Sequence, residues 1–226
     1  MAREYSREIA VISTVPNSSE PWLFDGLENL LVWSKSDGTN ASSSVTKDTT
    51  IAYEGAASLK LSTGATTPLA NDSVTAERNC VIGSQQYTEF VYFFRLATNN
   101  IKEVLTFFGN IVSGGKSITY AFQFNTANNT LKYLNSSQVY TAVTATAVEI
   151  SNGRWNFLRF IVDRLNKKYA TVQINGLTYD MEGIDGFDDG DSDSHSCLLQ
   201  MSLQTTEAVV KTMNVDNITV RGRDSL

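Results

Sequence analysis

Apolar and polar residues alternate along much of this chain with a period of two. Ile118, Tyr120, Phe122 and Phe124 interleave with Thr119, Ala121 and Gln123, and Cys197, Leu199, Met201 and Leu203 repeat the pattern. Successive side chains of a strand point to opposite faces, so this spacing predicts strands with one buried face. Similar runs cover Ile9–Val15, Leu30–Ser34, Ser58–Leu61, Val74–Val81, Tyr87–Leu96, Val104–Val112, Thr130–Leu134, Val139–Val148 and Met213–Val220. Asn, Gly, Ser and Thr clusters separate them, as at Asp37-Gly38-Thr39-Asn40 and Ser113-Gly114-Gly115. A 3.6-residue period persists nowhere, and Asp25 to Leu31 allows one helical turn at most. Many short strands between turn signals predict an all-β, antiparallel two-sheet sandwich.

The stretch from Asn152 to Gly176 predicts a hairpin. Arg154–Asp163 forms one strand and Tyr169–Gly176 the next, where Ala170, Val172 and Ile174 alternate with Tyr169, Thr171 and Gln173 before an Asn-Gly turn. Phe90-Val91-Tyr92-Phe93-Phe94 and Phe157–Val162 are apolar on both faces. Such strands are central, with a loop or partner covering the face that does not look into the core.

The order Asn152-Gly153-x-Trp155, a strand ending in Val162-Asp163, a short turn and a strand ending in Asn175-Gly176 resembles the concanavalin A-like (laminin-G-like) jelly-roll family. That resemblance implies a jelly-roll sandwich used mostly for recognition. A second resemblance joins the two ends of the chain: Leu23-Phe24-Asp25-Gly26-Leu27-Glu28, then Trp33, then Gly55-Ala56-Ala57-Ser58-Leu59-Lys60-Leu61, and finally Val215-Asp216-Asn217-Ile218. These pieces look like those of jelly-roll carbohydrate-binding modules. There they imply a structural calcium, here held by Asp25, Asp216 and the carbonyls of Gly55 and Ser58, with Glu28 as a substitute for Asp25. Calcium takes several oxygen ligands, so carboxylates with carbonyls suit it. The plainer reading is that Asp25 caps a turn and Asp216 closes a strand pair.

Other candidates follow from residue chemistry. In the acidic stretch Asp185–Ser194, Asp189, Asp191 and Asp193 alternate, but the final Glu of an EF-hand loop is missing, so a solvated loop stands against a metal loop. Sugar rings stack on exposed aromatic side chains. Trp22, Trp33, Tyr133, Tyr140 and Tyr179 are candidates for that role, each with core packing as its alternative.

Composition narrows the function classes. The 226 residues carry a net charge of −6, and their 18 Lys and Arg are scattered, which disfavours nucleic acid as a partner. No apolar run is long enough to span a membrane. The start, Met1-Ala2-Arg3-Glu4-Tyr5-Ser6-Arg7-Glu8, does not read as a secretory signal. Cys80 and Cys197 are too few for a disulfide framework and read as two buried thiols, with a bridge as the alternative. Glycosidases on the resembled fold carry Glu-x-Asp-x-x-Glu on one strand, and no such run occurs; Glu89 and Glu103 read as isolated acids and His195, the single histidine, as a loop residue.

These readings predict a non-catalytic protein. Residues 17–226 form one sandwich domain, preceded by residues 1–16 as an N-terminal arm or first strand. The first expectation is a structural and recognition subunit of a virus particle, a phage head decoration, fibre or tail-associated protein assembled in the host cytoplasm. Its partners would be other virion subunits or further copies of itself. The alternative is a carbohydrate-binding module or lectin of a secreted, extracellular protein, with glycans as ligands.

Overall fold

The computed structural model describes residues 21–25, 33–64, 69–97, 103–144, 147–192 and 197–226. Among them the chain forms strands and no helix. In chain order the first eight are β1 (Pro21–Asp25), β2 (Ser34–Gly38), β3 (Ser44–Asp48), β4 (Ser58–Ser62), β5 (Ser73–Cys80), β6 (Tyr87–Leu96), β7 (Glu103–Ser113) and β8 (Lys116–Asn125). The rest are β9 (Thr130–Leu134), β10 (Tyr140–Ala142), β11 (Trp155–Asp163), β12 (Lys168–Ile174), β13 (Leu177–Asp180), β14 (Phe187–Asp191), β15 (Cys197–Thr205) and β16 (Thr212–Arg223).

They pair into two antiparallel sheets. The terminal-strand sheet runs β13-β12-β11-β6-β16-β4-β3, with β1 against the second half of β16. The opposing sheet runs β10-β9-β8-β7-β15-β5-β2, with β14 beside β8. The alternation in sequence becomes the alternation in burial: every second residue of β15, from Cys197 to Thr205, is buried.

Aromatic rings fill the space between the sheets. Phe160 stacks on Phe90 with ring centres 4.7 Å apart and meets Phe122 of the opposing sheet at 5.0 Å. Gly109 makes room for this layer, because a Cβ there would stand 2.7 Å from Cζ of Phe90. Tyr169 ties the sheets together with a polar contact. Its buried hydroxyl donates to the Leu134 carbonyl at 2.8 Å and accepts from the Ala121 N–H at 2.9 Å, so burying the phenol leaves no unmet polar group. The hairpin supplies Leu158, Phe160, Val162, Val172 and Ile174 to one continuous core, as its alternation predicts, while a register shift between Ile161 and Val162 brings Tyr169 into that core against the alternation.

Three sequence expectations change. The run Val139–Val148 holds only the short β10; Val143 and Val148 then donate their N–H groups to the Leu131 and Asn129 carbonyls, so the apolar residues dock as an irregular segment. The acidic stretch is no free loop, since Phe187–Asp191 pairs with β8 and Lys116 forms an ion pair with Asp191 at 2.7 Å. Strand β3 has little apolar signal because it is an edge strand that packs mainly through Val45. Cys80 and Cys197 are direct cross-strand neighbours, both buried and both free thiols. The expected arm, residues 1–16, and His195 lie outside the described residues.

Candidate functional site

On β6 the side chains of Phe90, Tyr92 and Phe94 are buried in the core, so Glu89, Val91, Phe93 and Arg95 belong to the outer face of the terminal-strand sheet. By the same alternation β11 places Trp155, Phe157 and Arg159 on that face. Register sets Phe93 opposite Phe157, Arg95 opposite Trp155 and Val91 opposite Arg159. Phe93 and Phe157 meet edge to face at 5.2 Å.

A loop covers part of this row. Tyr53 stacks on Phe93 at 4.3 Å and meets Trp155 edge to face at 5.7 Å, yet remains 47% exposed. The result is an aromatic surface of four rings that is packed beneath and open above. Such rings offer flat apolar area at low entropic cost.

Asp216 holds the loop in place. Its fully buried carboxylate accepts the backbone N–H of Tyr53 at 2.7 Å, of Glu54 at 3.2 Å and of its neighbour Asn217 at 2.7 Å. Asn217 adopts a positive φ of 52° where the pairing of β16 with β6 slips between Asp216 and Thr219. Its amide nitrogen donates to Glu54 at 3.0 Å, while its buried Oδ1 has no hydrogen-bond donor among the described residues. Gly55 turns the loop with φ of 75°, a left-handed conformation that favours glycine. Pairing of β1 with β16 puts the backbone of Asp25 opposite Ile218, two residues from Asp216.

The Asn217 Oδ1 and the Asp216 and Glu54 carboxylates are oxygen donors of the type calcium takes, and both Asp216 oxygens already accept backbone N–H groups. The side chain of Asp25 lies outside the described residues, as does Glu28. The Ser58 hydroxyl donates to the Ile51 carbonyl and accepts from Asn214 at 2.9 Å, contacts that do not involve the backbone carbonyl expected as a ligand. Asn214 also donates to Asp48 at 3.1 Å. Burial pushes the Asp48 carboxyl up, but hydrogen bonds from Thr50 and Asn214 and the charge of Lys60 outweigh it and bring the pKa down to about 2.

Next to the rings a cleft of about 660 Å³ opens between Trp155, Arg154, Glu149 and Leu177. Amide hydrogen bonds link its floor: Asn175 donates to Asn156 Oδ1 at 3.0 Å and to the Glu149 carbonyl at 2.9 Å, and Asn156 clasps Ser151. Arg154 and Glu149 are exposed at the rim.

Farther along the same face, Glu89 is wholly buried beneath three arginines. Arg159 and Arg221 each donate Nε–H to one of its oxygens, and Arg223 approaches to 3.6 Å. Burial pushes the Glu89 carboxyl up, and the hydrogen bonds and charges of Arg221 and Arg159 more than reverse this, holding it below the usual carboxylate range. Glu103 is not isolated either; its buried carboxylate faces Lys211 at 3.3 Å and accepts from Thr126.

The sequence-chosen aromatics lie elsewhere. Trp33 is 7% exposed and belongs to the core, so it presents no ring to a ligand. Tyr133 and Tyr179 are half-buried and pack on the core, Tyr133 edge to face on Tyr169. Tyr140 lies half-buried near Thr106; burial raises its phenol pKa, and the Thr106 hydrogen bond offsets part of that. The Trp22 side chain is outside the described residues. Asp189 and Asp191 are exposed on β14, Asp191 pairing with Lys116, and Asp193 lies outside the described residues. Among the described residues no three His, Cys, Asp or Glu side chains converge. Tyr53, Phe93, Phe157 and Asn217 were missed as site residues, although two-sided apolarity marked Phe93 and Phe157 as members of covered strands.

No protein-family model matches this sequence, and no curated protein matches it. Solved structures do match in shape. Cellulose induced protein Cip1 aligns with a TM-score of 0.55 at 16% identity, over 90% of this chain and 97% of that one. The carbohydrate esterase vb_24B_21 of the Shiga toxin-encoding bacteriophage phi24B gives 0.53 at 17% identity, over 90% and 99%. The carbohydrate recognition domain of Emp46p in its potassium-bound form gives 0.51 at 11% identity, over 94% and 96%.

The chain has the concanavalin A-like jelly-roll fold. This agrees with the two antiparallel sheets and with the resemblance carried by the Trp155–Gly176 hairpin. At these identities the fold is what is shared. The structures similar to this jelly roll are mostly carbohydrate-binding modules and lectins, with the phage esterase among them.

Proposed function

We propose that this jelly roll is a non-catalytic glycan-recognition subunit, binding sugar on the outer face of its terminal-strand sheet. The observation that carries the reading is the Tyr53–Trp155 pair, an aromatic corner of one exposed and one half-buried ring beside a cleft rimmed by Arg154 and Glu149. Apolar ring faces with a few convergent polar groups are what a sugar needs: stacking area for its C–H face and partners for its hydroxyls. A structural calcium held by Asp216, Asn217, Glu54 and the 53–55 loop, with Asp25 as a further ligand, would fix Tyr53 against Phe93. The ion would supply charge compensation and rigidity and take no part in bond making.

The setting we propose is a virus particle, with the chain as a head-decoration, fibre or tail-associated subunit among other virion subunits or its own copies. The fold shared with a bacteriophage protein over nearly its whole length supports this. A module of a secreted protein is the second reading, supported by the equally full-length likeness to Cip1.

A glycan array probed with the isolated chain tests the binding, with Tyr53→Ala and Trp155→Ala as controls. Signal lost in both variants is expected, and an array without signal would overturn it. Stoichiometric attachment to capsids that disappears on deleting residues 2–16 is expected for the virion setting. Failure to attach, with glycan binding intact, would favour the secreted module.

A further inference from the structure

We propose that the Arg159, Arg221 and Arg223 cluster makes this glycan face selective for acidic saccharides, specifically for sugar carboxylates. The inference rests on the glycan-binding reading and names the ligand class of the same face. Three guanidiniums surround one carboxylate, so three positive charges against one negative leave two in excess on a protein whose total charge is −6. The excess is local, and the scattered sequence positions conceal it.

Donor geometry points the same way. Glu89 is fully buried, whereas the arginine side chains remain 28%, 41% and 28% exposed. Arg159 and Arg221 use only their Nε–H groups on Glu89, and no described residue accepts from their terminal amino groups. Glu89 thus orients the two guanidiniums and leaves their outer N–H groups available. A planar fork of donors matches a carboxylate bidentately, and an already oriented fork loses less entropy on binding.

The cluster is continuous with the aromatic surface. On β11 the outward positions run Trp155, Phe157, Arg159, spaced roughly 7 Å apart. Between rings and cluster stand the uncharged Val91 and Thr219 on neighbouring strands. At the ring end Asp216 and Glu54 already take backbone or Asn217 donors, and at the other end the exposed Asp224 follows Arg223. One saccharide chain can therefore stack at Trp155 and place a carboxylate at Arg159 and Arg221.

The test is affinity electrophoresis of the intact chain in gels containing polygalacturonate, alginate or hyaluronate, each beside its carboxyl-reduced neutral form. Retardation by at least one uronate polymer, roughly tenfold or more tighter than by its neutral form, is expected. Arg159→Lys keeps charge but loses the fork, and Arg223→Gln removes a charge without a hydrogen bond to Glu89. Each should shrink the acidic preference while retardation by the neutral form persists, and thermal unfolding checks that both remain folded. Equal retardation by acidic and neutral forms, unchanged in the variants, would overturn the selectivity and leave glycan binding standing. Retardation by none of the polymers would overturn both. Dextran sulfate or DNA binding as tightly as the uronates would replace carboxylate recognition with unspecific polyanion attraction.

Discussion

The backbone N–H of Tyr53 donates to the carboxylate of Asp216 at 2.7 Å, linking positions 163 residues apart in sequence. Through this bond the closing strand of the sheet positions an aromatic ring on its outer face. Asp216→Ala would strand three backbone donors in a buried site. It should cost about 3 kcal/mol or more in urea unfolding and release Tyr53 from Phe93, seen as loss of near-UV circular dichroism. A variant as stable as the parent would show that the carboxylate does not anchor the loop.

Trp155 and Phe160 lie on the same strand and face opposite ways. Phe160, unexposed in the core, should cost roughly 3–5 kcal/mol on change to alanine. Half-buried Trp155 should cost only about 1–2 kcal/mol. Equal losses, measured by denaturant unfolding, would place Trp155 among the core residues and remove it from the proposed binding surface.

Acid should weaken the fold in a definite window. The folded pKa of Asp48 is depressed to about 2 from an ordinary 3.8, so its stabilising contribution is complete above the unfolded value and is lost as pH falls from about 4 through about 2. Glu89, depressed in the same direction, adds to the loss as it is protonated. Unfolding free energies at successive pH values should fall through this range, and Asp48→Asn should flatten the fall. An unchanged slope in the variant would assign the acid sensitivity to other groups.

Calcium should raise the unfolding temperature if the Asp216–Asn217 cluster holds it, because a ligand bound only to the native state stabilises by mass action, about 2.7 kcal/mol at a hundredfold excess over its dissociation constant. Chelator should reverse the gain, and Asn217→Ala should abolish it. No shift in the parent would leave Asp216 as a purely hydrogen-bonding anchor.

The fold was largely legible in the sequence because apolar residues alternate along β8, β12 and β15, and along β15 burial follows that alternation without a break. Strands β3 and β14 were not, since an edge strand needs few apolar residues and Asp188 to Asp191 look solvated unless their pairing with β8 is known. The site was less legible. Asp216 stood out through its resemblance, but Tyr53 acquires its role only from contacts with Phe93 and Trp155, which register and loop placement create. Trp33 misled because a large aromatic near a turn serves core and surface equally well until burial is known. Glu89 seemed isolated because Arg159, Arg221 and Arg223 are far away in sequence.

The central claim, sugar stacking at the Tyr53–Trp155 corner, is tested most directly by titrating the protein with an array-selected glycan while recording tryptophan fluorescence. The account predicts a saturable emission change in the parent that vanishes in Trp155→Phe, with binding itself lost in Trp155→Ala while that variant still unfolds cooperatively. Unaltered binding by folded Trp155→Ala and Tyr53→Ala proteins would contradict it and place the sugar site on another face.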